Sequence, residues 1–175
     1  MFMEELIQQK LRHVGLRDKI VTAEEAASFI KDGMALGMSG FTRAGDVKVI
    51  PTALAERAKE AHFQVDVYTG ASTGPEIDHV MAEAGIVRRR GPYQGAAAMR
   101  KRVNEGSVLY ADAHLSHTPE LVRQGIYGPL DFAVVEACAI TEDGYLIPTT
   151  SLGNAPIFVQ EAKEVLIELN LAHTD

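Results

Sequence analysis

Short runs typical of buried strands recur along the chain, and segments with the helical spacing of apolar residues separate them. The runs that predict strands are residues 34–38, 65–68, 86–90, 108–110, 131–136 and 165–169. The segments that predict helices are residues 4–13, 22–30, 49–61, 76–84, 96–104, 119–125 and 155–163. Strands that alternate with helices through glycine-containing turns form βαβ units. The pattern therefore predicts an α/β fold, with an open, mainly parallel sheet and helices on both faces.

The segment after the first predicted strand, Ser39–Gly45, is rich in glycine and other small residues. Without a Cβ, glycine lets the backbone N–H groups approach a ligand closely. The glycines from Gly37 onward are spaced G-x-x-G-x-x-x-x-G, which fits neither the dinucleotide fingerprint nor the phosphate-binding P-loop. Two interpretations stay open. The segment is a backbone cradle for a carbonyl, carboxylate or phosphate, with the Ser39 hydroxyl as an added donor, or it is an ordinary tight turn.

A second segment of small residues, Gly70–Gly74, follows the second predicted strand. The carboxyl ends of parallel strands lie at one edge of a sheet, so both segments are expected at that edge, where α/β proteins bind ligands. Ser72 and Thr73 are candidates to orient a ligand oxygen. Alternatively, Thr73 caps the helix that begins near Pro75.

Histidine and cysteine residues give weaker signals. The spacing His114-x-x-His117 resembles that of metal ligands, but the pair lies on a predicted loop and has no second ligand pair. Hydrogen bonding within the loop is the favoured interpretation, and no metal site is predicted. Cys138 follows a buried strand and is expected in the core.

Two basic clusters and one acidic residue complete the candidate chemistry. Residues 88–90 and 100–102 are interpreted as solvated faces or subunit contacts, and alternation along a strand prevents residues 88–90 from sharing one surface. Glu136 ends a buried strand, where it is either a functional carboxylate or one satisfied by hydrogen bonds. The hydrogen-bonded role is favoured.

Size and composition narrow the possible functions. A chain of 175 residues with 46% hydrophobic content is long enough to bury one core, which predicts one domain over residues 1–175. The net charge of −7 disfavours a nucleic-acid partner. No apolar run approaches the roughly 18 residues of a membrane span, and the N-terminus lacks the apolar core of a signal peptide. With a single cysteine, these features predict a cytoplasmic protein without membrane contact.

Six segments occur in the order found in one enzyme family. They are DGMALGMSGFTRAG, TGASTGP, GPYQ, ADAHLSH, DFAVVEA and SLGNAP. Together they resemble the N-terminal half of class I coenzyme A transferases, in the acetyl-CoA hydrolase/transferase branch that includes succinyl-CoA:acetate and propionyl-CoA:succinate CoA-transferases. The resemblance runs from Val21 to Asn170. Ser39 replaces a signature glycine, as is familiar in this branch, and Val47 stands where proline is usual.

The resemblance implies a CoA-transferase (NagB/RpiA-like) fold and exchange of CoA between an acyl-CoA and a small carboxylate through a glutamyl-CoA thioester. Acyl-CoA and a short acid are then substrates, and no covalent cofactor is expected. The nucleophilic glutamate belongs to a C-terminal half absent from this chain. No catalytic residue is therefore assigned here, the chain alone is expected to be inactive, and the full-length enzyme is expected to form a homo-oligomer.

By the same resemblance, the chain forms one wall of the active-site cleft. The expected substrate-binding residues are Ser39, Gly40, Phe41, Ser72, Thr73, Gln94, Gly153 and Asn154. Two alternatives use the same loops differently. The chain is a small-molecule-binding or assembly module without chemistry, or it is one subunit of a split CoA-transferase.

Overall fold

The computed structural model describes residues 2–174, and over these residues six strands form one parallel sheet. Its strands are β1 (Ala35–Met38), β2 (Val65–Tyr68), β3 (Val87–Gly91), β4 (Leu109–Tyr110), β5 (Phe132–Ala137) and β8 (Glu164–Leu169). A separate antiparallel hairpin contains β6 (Ala139–Ile140) and β7 (Leu146–Ile147). The main sheet has the order β4-β3-β2-β1-β5-β8. The predicted α/β fold and all six predicted strands are confirmed.

The helices are shorter than the sequence predicts. They are α1 (Phe2–Lys10), α2 (Ala23–Phe29), α3 (Val49–Arg57), α4 (Ala97–Asn104), α5 (Thr118–Arg123) and α6 (Ala155–Glu161). A π-helix spans Glu76–Met81, and 3₁₀ turns span Val14–Lys19 and Leu115–His117. The Thr22 hydroxyl accepts from the Glu25 amide at 3.2 Å, as the capping pattern predicts. None of the helices in residues 2–174 is long and apolar enough to cross a membrane.

The sheet lies between two hydrophobic clusters. One contains apolar residues of α2, α3, the π-helix and α4, and the other contains residues of α5 and α6. Helix α6 packs closely on the sheet because β1 presents Gly37 to it. A Cβ on Gly37 would lie 2.7 Å from the Cβ of Phe158, a fully buried residue.

Two expectations from the sequence are wrong, and one element of the structure is not predicted. Helical spacing predicts Phe29 on the buried face of α2, but it is 44% exposed, because Ile30 leaves the helix in an extended conformation and fills the core position. Arg90, expected on a solvated face or at a subunit contact, is completely buried. The hairpin of β6 and β7 is not predicted, since each of its strands has only two residues. Such short strands leave no periodic signal.

The order of the strands reverses at β1. The chain proceeds from β1 through β2 and β3 to β4 on one side, and then returns to place β5 and β8 on the other side. Open α/β sheets bind ligands at such a switch point, outside the carboxyl ends of the strands. The segments that follow β1, β2, β3 and β5 therefore lie where a site is expected.

Candidate functional site

Four loops lie at the carboxyl edge of the sheet, and we name each by the strand before it. They are the β1 loop (residues 39–48), the β2 loop (69–75), the β3 loop (92–96) and the β7 loop (148–154). All eight predicted site residues belong to these loops.

Three glycines bring the β1, β2 and β7 loops into backbone contact. A Cβ on Gly70 would lie 2.8 Å from the carbonyl oxygen of Gly40 and 3.1 Å from the Cα of Gly153. Gly153 adopts a φ of 49° and Gly40 a φ of 134°, both in the region that favours glycine. No side chain fits between these backbones. The predicted convergence of the first two loops is therefore seen in the structure, and the β7 loop joins them.

Asp46 is a second link between the β1 and β2 loops. It is 2% exposed, and its Oδ2 accepts a hydrogen bond from the Gly74 amide at 3.0 Å. A buried carboxylate needs such donors because it has lost its water. Nothing in the spacing of Asp46 distinguishes it in sequence, so sequence reasoning does not find it.

Ser39 is buried, and its hydroxyl is used within the protein. The Oγ donates to the carbonyl of Gly45 at 2.7 Å and accepts from the amide of Glu136 at 2.9 Å. The first bond closes the β1 loop and the second joins it to β5. The hydroxyl proton is thus already engaged, and the serine holds the loop in shape.

Phe41 lies at the tip of the β1 loop. Its backbone N–H and C=O pair with those of Ala44 at 3.0 and 3.1 Å, so the tip is a tight turn. Thr42 takes a φ of 61° inside this turn. The turn leaves Phe41 42% exposed, with its ring on the surface.

Ser72 and Thr73 of the β2 loop have different partners. The Ser72 hydroxyl, on a half-buried residue, accepts from the amide of Gly95 in the β3 loop. Thr73 is buried and donates to Oδ2 of Asp78 from both its amide, at 2.6 Å, and its hydroxyl, at 3.1 Å. Thr73 makes no side-chain cap of the helix that follows. Instead, a side chain of that helix holds the threonine.

Gln94 has a free donor. The residue is 8% exposed, and its Oε1 accepts from the amide of Ala96. Its Nε2 is buried and has no hydrogen-bond partner among residues 2–174. An amide N–H₂ in this state is under-satisfied and favours an acceptor oxygen brought by another molecule or segment.

Gly153 and Asn154 end the β7 loop. The Asn154 Nδ2 donates to the carbonyl of Thr69 at 3.4 Å, and the backbone nitrogen of Asn154 would lie 3.1 Å from a Cβ on Gly70. Both residues therefore contact the β2 loop. This agrees with a backbone turn at the edge of the site.

Glu136, the residue before the last of β5, lies among three side-chain donors. Its Oε1 accepts from Lys48 Nζ and Asn170 Nδ2, both at 2.9 Å, and its Oε2 accepts from Thr149 Oγ1 at 2.6 Å. Burial would raise the pKa of Glu136, but the hydrogen bonds from these donors outweigh it, and the pKa lies below its ordinary value. The hydrogen-bonded interpretation of Glu136 is the one that the structure supports.

Lys48, which sequence reasoning does not identify, is a cation beside two buried carboxylates. Its Nζ lies 2.9 Å from Glu136 and 3.7 Å from Asp46. Partial burial lowers the pKa of Lys48, yet the hydrogen bond to Glu136 and the surrounding carboxylates raise it above its ordinary value.

Glu168 of β8 accepts from the amides of Lys48, at 2.7 Å, and Ile50, at 2.8 Å, so it binds the first turn of α3. Burial raises the pKa of Glu168, and these amides offset the rise only in part. A charged residue within an apolar strand is the available sequence signal for both Glu136 and Glu168.

The histidine pair lies apart from this network. His114 Nδ1 is 2.8 Å from Ser116 Oγ, and it accepts from the Ser116 amide at 3.3 Å. This is hydrogen bonding within the loop, the favoured interpretation. In residues 2–174, no cluster of three or more His, Cys, Asp or Glu side chains is placed to hold a metal ion.

Comparison with known proteins places the chain in a family. Residues 3–174 match the model of the acetyl-CoA hydrolase/transferase N-terminal domain. The chain belongs to the acetyl-CoA hydrolase/transferase family. The family predicted from the six sequence segments is therefore confirmed, and the chain is an N-terminal domain of this family.

The relatives similar to this chain include a CoA-transferase and an acetyl-CoA hydrolase. It is 45% identical over 167 residues to the succinyl-CoA:acetate CoA-transferase of Clostridium kluyveri, a match that covers 94% of this chain and 31% of that enzyme. It is 35% identical over 183 residues to the acetyl-CoA hydrolase of Eremothecium gossypii, covering 98% of this chain and 35% of that enzyme. The chain thus spans about a third of the length of these curated relatives.

A solved structure shows the same fold. The crystal structure of RipA from Yersinia pestis superposes with a TM-score of 0.67 over 99% of this chain and 39% of that chain, at 22% sequence identity. At this identity the likeness is one of fold alone.

Proposed function

We propose that this domain forms the substrate-facing wall of an enzyme that moves CoA between an acyl-CoA and a short carboxylate of the acetate, propionate or succinate class. The observation that carries the proposal is the contact of three loops at Gly40, Gly70 and Gly153. The β3 loop, which Ser72 joins to the β2 loop, adds the Nε2 of Gln94, a donor without a partner among residues 2–174. Backbone N–H groups and the side-chain amide of Gln94 are donors that suit both the neutral carbonyl of a thioester and the carboxylate of an acid. The family membership supports CoA as the group transferred.

The exchange is proposed to pass through an enzyme glutamate. Its carboxylate attacks the acyl-CoA carbonyl, the C–S bond breaks, and CoA leaves as the thiolate, which gives a mixed anhydride of the acyl group and the glutamate. The thiolate then attacks the glutamyl carbonyl, which releases the acyl group as a carboxylate and leaves a glutamyl-CoA thioester. The acceptor acid reverses these steps. Covalent catalysis of this kind divides one difficult transfer into easier steps.

We assign the nucleophile to residues outside this chain. Glu136 is the acidic residue at the switch point of the sheet, and three donors already bind its two oxygens. These bonds stabilise the carboxylate and make it a poor nucleophile. The part of the relatives that this chain does not match, about two-thirds of their length, is the proposed source of the glutamate.

The predicted substrate-binding residues take specific roles in this proposal. Gln94 donates from Nε2 to the acyl or carboxylate oxygen, and the exposed ring of Phe41 contacts the acyl chain. Ser39, Thr73 and Asn154 hold the loops in shape, as their hydrogen bonds indicate. Gly40 and Gly153 let the backbones of the β1, β2 and β7 loops pack together, and Ser72 links the β2 and β3 loops.

The test is an isotope-exchange assay on the polypeptide that the parent gene encodes. Labelled acetate or succinate is incubated with unlabelled acyl-CoA, and label in the CoA ester is measured together with the loss of total thioester. Label transfer indicates a transferase, and loss of thioester without transfer indicates a hydrolase. If neither transfer nor loss of thioester is detected, the proposed function is contradicted. Residues 1–175 alone are expected to be inactive, and turnover by them would contradict the placement of the nucleophile.

The role of Gln94 is tested by Gln94→Ala in the same assay. We expect a fall in kcat/KM of roughly tenfold or more, because one donor to a reacting oxygen is lost. The matched control is Gln124→Ala, which removes an exposed glutamine bound to Glu120 on α5. Equal activity of the two variants would remove Gln94 from the site.

A further inference from the structure

A completely buried ion pair lies directly beneath the loops of the proposed site. It joins Asp78 of the π-helix to Arg90 of β3, with 3.0 Å between Oδ1 and Nε and no exposed surface on either side chain. Burying two charges has a large desolvation cost, and such a pair adds little or nothing to stability compared with well-packed apolar residues. Its presence therefore calls for an explanation other than stability.

The remaining hydrogen-bonding atoms of the pair contact the backbone of the site loops. Arg90 Nη2 donates to the carbonyl of Ala71 at 3.1 Å, and Nη1 donates to the carbonyl of Gly91. Asp78 Oδ2 accepts from the amide and hydroxyl of Thr73. One ion pair thus fixes two points of the β2 loop and the residue that leads into the β3 loop.

These two loops carry Ser72 and Gln94, and they are also joined directly by the bond from the Gly95 amide to the Ser72 hydroxyl. We infer that Asp78 and Arg90 are positioning residues that hold the β2 and β3 loops, and with them Ser72 and Gln94, in the geometry that acyl transfer requires. This inference rests on the proposed function for its consequence in catalysis. The planar guanidinium suits the role, because its fork of N–H groups binds a carboxylate and backbone carbonyls at fixed angles.

A second ion pair on the same strand, whose arginine is partly exposed, provides the control. Arg88 of β3 binds Asp66 of β2 through Nε and Nη2, both at 2.8 Å, and also donates to the carbonyl of Gly33. Gly33 lies before β1, at the opposite edge of the sheet from the site. The two pairs therefore differ in which loops they hold, and the same substitutions apply to both.

The first experiment uses the 175-residue chain and needs no activity. Amide hydrogen exchange is measured by NMR in the double variant Asp78→Leu/Arg90→Met and in the control Asp66→Leu/Arg88→Met. Replacing both partners leaves no unpaired buried charge, which favours folding. We expect exchange at Thr73 and Gly95 to rise at least tenfold relative to the amides of β1 and β5 in the first variant and to stay unchanged in the control. Unchanged exchange at Thr73 would overturn the inference.

The second experiment measures kcat and KM of the full polypeptide for acyl exchange. A loop displaced by about 1 Å lowers rates by up to about a hundredfold, so we expect kcat to fall at least tenfold in Asp78→Leu/Arg90→Met. Activity of Asp66→Leu/Arg88→Met is expected within twofold of the parent. If both double variants lose activity only in proportion to lost folded protein, the pair is structural and the inference fails.

A single variant guards against misfolding of the double variant. Arg90→Lys keeps the charge beside Asp78 but loses the fork that reaches Ala71 and Gly91. We expect it to fold and to show the same local rise in exchange at Thr73. If the parent polypeptide has no acyl-exchange activity, the proposed function fails, while the exchange measurements still decide whether Asp78 and Arg90 hold the loops.

Discussion

The amide of Glu136 donates to the hydroxyl of Ser39 at 2.9 Å, across the point where the order of the strands reverses. The two residues are 97 positions apart in sequence. The Ser39 hydroxyl donates its own proton to the carbonyl of Gly45, so one side chain joins β5, the end of β1 and the far side of the β1 loop. A residue expected to bind substrate thus also holds together the strands around the switch point.

Removing this hydroxyl is expected to destabilise the fold. Ser39→Ala leaves the Glu136 amide and the Gly45 carbonyl without their partner in a buried position, at a cost of about 1–3 kcal/mol in the free energy of unfolding. Urea denaturation of the chain measures this. Ser107→Ala is the control, because its exposed hydroxyl bonds the carbonyl of Arg102 at 3.0 Å, and it should change stability by about 0.5 kcal/mol or less. Equal values for the two variants would contradict the bridging role.

Glu136 should contribute to the dependence of stability on pH. Although burial opposes it, the hydrogen bonds to Glu136 lower its folded-state pKa. The stabilisation is therefore complete above the unfolded pKa of about 4.3 and is lost as pH falls through the lower folded-state pKa. In Glu136→Gln, the fall in unfolding free energy between about pH 7 and about pH 3 should be smaller than in the parent.

The control for this measurement is Glu164→Gln, which changes an exposed glutamate at the start of β8. Lys48, Asp46 and Glu168 are left unchanged in both variants. A pH dependence in Glu136→Gln equal to that of the parent would show that this carboxylate is not stabilised by folding.

The contact of the loops at Gly70 predicts a loss of activity from one added methyl group. Gly70→Ala places a Cβ 2.8 Å from the carbonyl oxygen of Gly40, so the β1, β2 and β7 loops must separate. We expect kcat/KM for acyl exchange to fall roughly tenfold or more, since the donors move with the loops. Overpacking also lowers stability by about 1–3 kcal/mol.

Gly37→Ala separates these two effects. It adds the same methyl group against Phe158 in the core, 2.7 Å from its Cβ, away from the loop junction. We expect Gly37→Ala to lose about as much stability as Gly70→Ala but to lose less activity per folded molecule. If Gly37→Ala reduces activity as much as Gly70→Ala does, the loop junction has no special role.

Phe41 should affect substrate binding more than stability. Its ring is 42% exposed, so Phe41→Ala is expected to change the unfolding free energy by about 0.5 kcal/mol or less. In the acyl-exchange assay, KM for the acyl-CoA should rise and the effect should grow with the length of the acyl chain. Tyr145→Ala, at a tyrosine that is 72% exposed on the hairpin turn, is the control. Identical KM values in the two variants would place Phe41 outside the site.

Much of the fold could be predicted because its signals are local. The apolar runs at β2 and β5 and the capping pattern at Thr22 involve residues within a few positions of each other, and the structure confirms each. The hairpin of β6 and β7 is too short for such a signal. The six short segments, in the order typical of the family, are enough to predict the family, and the family model confirms it.

The candidate site was predictable in place and less so in detail. Parallel strands put Ser39 and Ser72 at one edge of the sheet, as the alternation of strands and helices predicts. Which of their hydrogen-bonding groups stay free depends on residues far away in sequence. The Ser39 hydroxyl bonds to the Glu136 amide and the Ser72 hydroxyl to the Gly95 amide, whereas the Nε2 of Gln94 has no partner in the part of the chain that the structure describes.

The sequence alone determined the order of strands and helices, the parallel sheet and the family, because periodicity and short motifs act over a few residues. The tertiary structure alone decided how polar side chains within that frame are used. Arg88 and Arg90 are two positions apart on β3, yet Arg88 is partly exposed and Arg90 is completely buried against Asp78. The pairing of β3 with β2 shifts register between Val87 and Arg89, so the alternation of faces that the sequence predicts is broken at Arg88. Arg88 therefore binds Asp66 of β2, whereas Arg90 binds Asp78 of the π-helix, and only the tertiary structure separates the surface arginine from the one that holds the loops.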